Sequence, residues 1–300
     1  MFKRVTLFIL TNILVMATLM IVASVLGVDR YFTSSGLDYQ SLAVFCLVWG
    51  MGGSLISLAM SRVMAKWMAG VSVINPQSPG EYTWLVQTVH QLARHAKISV
   101  MPEVGVYDSP EVNAFATGPT KNKSLVAVST GLLHSMDKNQ IEGVLGHEIA
   151  HIANGDMVTM TLLQGVVNAF VMFISRVAAY AIAQQVKEES RHTVNWIVTF
   201  VLQMVLGILG MIVVAWFSRY REFKADAGSA KYAGVSKMTS ALQALLNTQS
   251  PALAMAAEEA PSLSVMKISS PLSKLGWLFS THPPLQDRIK ALNAPKLHSN

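Results

Sequence analysis

His147, Glu148 and His151 stand in the order His-Glu-x-x-His, the pattern in this 300-residue chain whose residue types and spacing specify a reaction. Residues four apart share a helical face, one turn above the other, so both imidazoles can reach one zinc ion at about 2.0–2.1 Å. Glu148 follows the first imidazole and is offset around the helix. Its carboxylate can therefore reach a metal-bound water without itself ligating the metal. The competing reading makes both histidines half-buried polar residues of an amphipathic helix. Helix signals around the motif favour the first reading. Asp137 with Gln140 is a capping-box start for a helix running to about Ala153. Asn154-Gly155 supplies a left-handed stop, and Asp156 is placed to cap the next helix.

A catalytic zinc takes three protein ligands and keeps a fourth position open, so the rest of the chain must deliver one more. Composition shows what kind of chain that is: 52% hydrophobic and 13% charged, against about 25% charged in an average globular protein. Disorder, collagen-like repetition and a disulfide scaffold are excluded, since the single cysteine, Cys46, lies in an apolar run. The net charge of +6 has no Lys/Arg-dense run behind it, so no nucleic-acid partner is expected. The positive residues flank long apolar stretches instead.

Four segments reach the roughly 20 apolar residues that a bilayer core requires: 5–26, 39–61, 157–175 and 194–217. The first is too long for a signal-peptide core and lacks a cleavage site, so it reads as a retained helix. The third, which carries Gln164 and Asn168, has a buried soluble helix as its alternative. Lys3, Arg4, Arg62, Lys66, Arg219, Arg221 and Lys224 all fall on one side of these spans. Excess Lys and Arg marks the cytoplasmic face, which puts both termini and both polar segments there. Arg176 reads as an interface anchor. Gly50, Gly52 and Gly53 suit close helix approach, and Gln164 and Asn168 share a face that points into the bundle or lines a substrate path.

The expected organisation is two membrane helices in 1–61, a polar catalytic part in 62–156, a membrane hairpin in 157–217 and a second polar part in 218–300. A helix is expected over 81–96. Strands at 103–107, 113–117 and 124–129, separated by turns at Asp108-Ser109-Pro110 and Gly118-Pro119-Thr120, read as a meander. The hairpin must return the chain to the side of the motif helix, where Glu222 and Asp226 lie one turn apart. Glu222 is the expected third ligand, and Asp226 a carboxylate able to orient a zinc-bound imidazole. A solvated juxtamembrane charge cluster is the plainer alternative. His90, His95, His134, His192 and His298 carry no comparable signal, and the 17 methionines read as apolar filler.

The chain resembles the HtpX family of bacterial integral-membrane zinc metallopeptidases, relatives of the membrane CAAX prenyl endopeptidases. The likeness rests on Asn113-Ala114-Phe115-Ala116-Thr117-Gly118 and on the His147 motif followed by Ala153-Asn154-Gly155-Asp156. It rests equally on Arg221-Glu222-Phe223 with Ala225-Asp226, and on Thr281-His282-Pro283-Pro284 with Arg288. It implies an α+β gluzincin-like catalytic domain fused to four transmembrane helices. It implies one zinc per chain held by His147, His151 and Glu222, with Glu148 as general base. Asn113, Ala114, Phe115, Ala116 and Thr117 would form an edge strand that takes up substrate backbone by strand addition. His282 and Arg288 would stabilise the oxyanion or bind substrate, against the plainer reading of a helix-capping His and a surface Arg.

The implied task is hydrolysis of misfolded or damaged membrane proteins at the cytoplasmic face of the bacterial inner membrane under stress. Membrane-protein substrates and the bilayer are the implied partners; association with itself or with other membrane proteases is left open. A narrow prenyl-protein processing protease and an inactive adaptor are alternatives. Intact Glu148 argues against the adaptor, and short polar segments with only four spans argue against the processing protease. A transporter would need more ionisable groups within the spans.

Overall fold

The computed structural model describes Thr18, Ile21, Ser24, Val25 and residues 32–33, 36–77, 80–259 and 276–294, without side chains for 32–33 and 249–259. The expected span 5–26 therefore lies outside the described residues except at four positions. Along the chain, β1 (Phe32–Thr33) and β2 (Gly36–Leu37) precede helix α1 (Tyr39–Met68). Next come β3 (Ser72–Val73), α2 (Thr83–His95), β4 (Glu103–Tyr107), β5 (Ala114–Thr120), β6 (Lys123–Ser129), α3 (Thr130–Ser135) and α4 (Lys138–Asn154). The chain closes with α5 (Asp156–Ala183), α6 (Glu188–Tyr232), α7 (Val235–Glu259) and α8 (Leu285–Asn293). It divides into two compact units, Met1–Ala59 with Val158–Val214, and Met60–Met157 with Ala215–Asn300.

In the first unit, the apolar parts of α1, α5 and α6 pack through small residues. A Cβ added at Gly50 would meet the Ala169 backbone nitrogen at 2.5 Å, and one at Gly165 would meet the Met51 Cα at 3.1 Å. Gly53 faces open space, so only part of the expected glycine set makes a close approach. Gln164 Nε2 donates to Asn168 Oδ1 at 2.9 Å, so the two amides satisfy each other along one helix face. Among the described residues, α1, α5 and α6 are the helices long and apolar enough to cross a membrane. Their exposed side chains, Phe170, Trp196, Phe200 and Met204 among them, are what a lipid-facing surface requires. At 45 residues, α6 spans about 68 Å, twice the roughly 30 Å hydrocarbon core. Its polar last turns therefore extend well beyond the apolar stretch.

The second unit is built on a four-stranded sheet of order β3-β4-β6-β5. The expected meander is corrected here: β4 pairs in parallel with β6, and β5 lies outside β6 in antiparallel register. The burial of β6 explains the order. Every residue from Ser124 to Ser129 is buried, as a central strand covered on both faces requires, whereas β5 stays half-exposed. The turn expected at Gly118-Pro119-Thr120 also moves. Thr120 pairs with Lys123, so the reversal falls at Lys121-Asn122 and the Gly118-Pro119 step becomes a register shift within β5. Proline is tolerated there because β5 is an edge and owes no N–H to a second neighbour.

Val126 and Val128 of β6 join the main core with Leu85, Val89 and Leu92 of α2 and Ile141, Leu145, Ile149 and Ile152 of α4. Leu125 and Ala127 face the other way, against Val71 and Tyr107. This two-residue alternation fixes the register. The motif helix α4 begins with the full Asp137–Gln140 capping box and ends at Gly155 in the left-handed conformation, φ 73°. Its apolar stripe is anchored in the core, while glycines on another side let helices press close. A Cβ at Gly143 would meet the Lys237 carbonyl oxygen at 2.5 Å, and one at Gly228 of α6 would meet Ala150 Cβ at 2.5 Å.

Candidate metal centre and cleft

Core packing of α4 leaves His147 and His151 on a separate face, one turn apart, with ring centroids at 4.6 Å and Nε2 atoms 3.1 Å from each other. The polar end of α6 adds Glu222. Its Oε2 lies 3.4 Å from His147 Nε2 and its Oε1 3.4 Å from His151 Nε2. One ligand atom from each of the three residues falls within 4.8 Å of the others.

Behind each imidazole stands a carboxylate. His147 Nδ1 is 2.9 Å from Asp226 Oδ1, and His151 Nδ1 is 2.6 Å from Asp156 Oδ2. A carboxylate only accepts, so each Nδ1 carries the donated proton and each Nε2 is left to face Glu222. Two Nε2 atoms and a carboxylate converging on one point repel unless protons or a cation lie between them. Glu222 Oε2 is buried without a hydrogen bond, with His282 Nδ1 2.9 Å and Arg288 Nη1 3.6 Å away. The donor set fits a metal ion.

The carboxylates also set the basicity of the rings. Burial alone disfavours imidazolium at both. At His147 the hydrogen bonds to Asp226 and Glu222 outweigh it and raise the pKa; at His151, Asp156 and Glu222 push it up to about 9. A metal must therefore displace a proton from Nε2 to bind.

Glu148 is half-buried and lines a cleft of about 630 Å³ together with His147, Glu222, His282 and Arg288. Leu132, Val144 and Leu242 supply an apolar wall. Of the five strand residues singled out in sequence, Asn113 and Ala114 line this cleft. Phe115 turns to the opposite face, its ring 5.5 Å from that of Tyr107. Ala116 and Thr117 continue β5 opposite Val126 and Leu125, with the outer side of the strand unpaired in the sheet.

His282 is exposed apart from its contact with Glu222. Arg288, by contrast, is 6% exposed, so it is not a surface arginine. Its Nε donates to Asp226 Oδ2 at 2.8 Å and its Nη2 to Asp226 Oδ1 at 2.6 Å, a bidentate pair. Burial works against this guanidinium, yet the Asp226 bonds and charge more than compensate and raise its pKa. Asp156 is the residue that sequence reasoning missed, having been read as a cap for α5. Its signal was a carboxylate directly after the Gly155 stop. Arg221 Nη1 donates to the Asp156 carbonyl oxygen at 3.3 Å and ties that position to α6.

Known proteins resemble this chain at the level of family and fold. The pattern of Peptidase family M48 matches residues 79–296. The protease HtpX homolog of Bacillus subtilis (strain 168) is 52% identical over 302 residues, covering 98% of this chain and all of that protein. The protease HtpX homolog of Methylacidiphilum infernorum (isolate V4) is 50% identical over 296 residues, covering 97% of this chain and 98% of that protein. The crystal structure of S. mikatae Ste24p is only 19% identical, yet it superposes on 98% of this chain and 67% of its own with a TM-score of 0.61, which shows a shared fold. The chain belongs to Peptidase family M48 and is a membrane metalloprotease, an enzyme that hydrolyses peptide bonds.

Proposed function

We propose that the metal is zinc, one ion per chain, held by His147, His151 and Glu222, and that the enzyme is an endopeptidase of gluzincin-like architecture with four membrane spans. It acts at the cytoplasmic face of the bacterial inner membrane on misfolded or damaged membrane proteins, in stress-related quality control. The observation that carries the catalytic part is the convergence of His147 Nε2, His151 Nε2 and a Glu222 oxygen within 4.8 Å, with Glu148 in the same cleft. Two imidazoles with a carboxylate form a donor set that suits zinc and leaves a position open. The placement in the membrane rests on three long apolar helices and on the Lys/Arg bias.

Bound zinc supplies a Lewis acid that polarises the scissile carbonyl and acidifies water. Glu148 accepts the proton of the attacking water and returns it to the leaving amine. The open edge of β5 from Ala114 to Thr117, with Asn113 just before it, aligns the substrate backbone, and the strand's main-chain groups make the alignment tolerant of sequence. His282, the exposed donor at the cleft, faces the negative charge that develops on the scissile oxygen. Arg288 spends Nε and Nη2 on Asp226 and so steadies the carboxylate behind His147, while its Nη1 stands 3.6 Å from Glu222 Oε2.

Purified wild type and Glu148→Gln test the reading by bound zinc and by cleavage of an unfolded membrane protein. The variant is expected to keep stoichiometric zinc and lose about 10²–10⁴-fold in rate. Equal cleavage by both would remove Glu148 as the base, and wild type without zinc would remove the mechanism.

A further inference from the structure

Arg219 stands three residues before Glu222 on α6, so the two share a helix face. It is 6% exposed. Its partners are not carboxylates. Nη1 points at the carbonyl oxygens of Trp277, Leu278 and Ser280 at 3.2, 3.3 and 2.6 Å. The guanidinium also lies 4.4 Å from the centre of the Trp277 ring. A buried charge is costly unless it is compensated, and here Nη1 closes the carbonyl end of a short turn, where a cation is favoured. That turn leads directly into the cleft wall, since Trp277, Ser280 and His282 all line it. Ser280 Oγ then donates to the His282 carbonyl oxygen at 2.6 Å.

We infer that Arg219 is a positioning residue: it grips the 277–282 segment against α6 and so holds His282 at the mouth of the cleft. Among the described residues, two polar attachments tie the segment to this face of α6. One is the contact of His282 with Glu222 Oε2, which competes with any cation for the same oxygen. The other is Arg219, whose bonds use none of Glu222's atoms. When a metal claims Glu222, the Arg219 grip is the attachment that remains. The inference rests on the proposed zinc site and on the role given to His282.

The test uses the full-length protein in lipid nanodiscs, with R219Q, the milder R219K, H282A and the double variant R219Q/H282A. Hydrogen exchange of the peptide covering 277–282 is read beside zinc content, kcat and KM. In R219Q that peptide is expected to exchange about tenfold faster or more, as loss of charge-assisted bonds implies, while zinc stays stoichiometric. The fall in kcat should match that of H282A, and the double variant should fall little further. R219K should not rescue, because an ammonium lacks the planar face that covers Trp277. Should R219Q fail to fold, S280A, which removes only the bond to the His282 carbonyl, must show the same pattern in milder form. Unchanged exchange in both R219Q and R219K, or fully additive losses with H282A, would overturn the inference. If wild type itself neither binds zinc nor cleaves, the protease reading fails while exchange still decides whether Arg219 grips the segment.

Discussion

Asp156 and Asp226 brace the two imidazoles from different helices, one at the start of α5 and the other on α6. Such partners fix the ring and strengthen it as a ligand. Asp156→Asn is therefore expected to weaken zinc binding about 10–100-fold in a competitive chelator titration, and unchanged affinity would mean that His151 needs no brace. Glu222→Ala should be more severe and leave substoichiometric metal after dialysis. The His151 ring gives a pH signature of opposite sign in the two forms of the protein. Without metal, its pKa is raised from 6.5 to about 9. Its stabilising contribution is therefore complete below pH 6.5 and disappears as pH climbs through about 9. Thermal unfolding of chelator-treated protein should show Tm falling over that window. Zinc affinity should rise over the same window, because the ligand must lose its proton. The His-Glu-x-x-His pair was legible because helix geometry is local. Asp156 was not, since its carboxylate reaches His151 only through the left-handed turn at Gly155.

At the scale of elements, the motif helix is placed by what it lacks on one side. Gly143→Ala would gain about 0.8–1 kcal/mol of helix propensity. It would also drive a methyl to 2.5 Å from the Lys237 carbonyl oxygen, and overpacking of this kind costs about 1–3 kcal/mol. Backbone is the obstacle, so the second effect should win and Tm should fall; a more stable variant would mean that α7 can shift freely. The same region shows where sequence reading of elements succeeds and fails. The capping box and the Gly155 stop were readable because each rests on side chains within three or four residues. Strand neighbours were not. The turn spacing within 103–129 does not state that β5 lies outside β6 rather than between β4 and β6; the unbroken apolar run Leu125-Val126-Ala127-Val128 was the one signal of a central strand.

For the whole molecule, the proposed topology is open to labelling. Cys46 is the single cysteine and is buried, so Cys46→Ser provides a clean background. A cysteine at Lys187, between α5 and α6, should react with a membrane-impermeant thiol reagent from outside the cytoplasm, and one at Lys224 should react only after the membrane is opened. The reverse pattern would put the cleft outside the cell. The sequence by itself determined the local supports of the site: the paired imidazoles one turn apart, the capped helix that carries them, three long apolar helices and the carboxylates one turn apart on α6. These depend on spacing along one helix or on composition over about 20 residues, which local physics reads directly. Tertiary structure alone decided the rest. It brought Glu222 to 3.4 Å from both rings, turned Arg288 inward onto Asp226, set β5 at the sheet edge and closed Arg219 over the turn before His282. The side-chain contacts among these join residues about 60 or more positions apart, and their distances follow from how helices and strands pack, which no local pattern encodes.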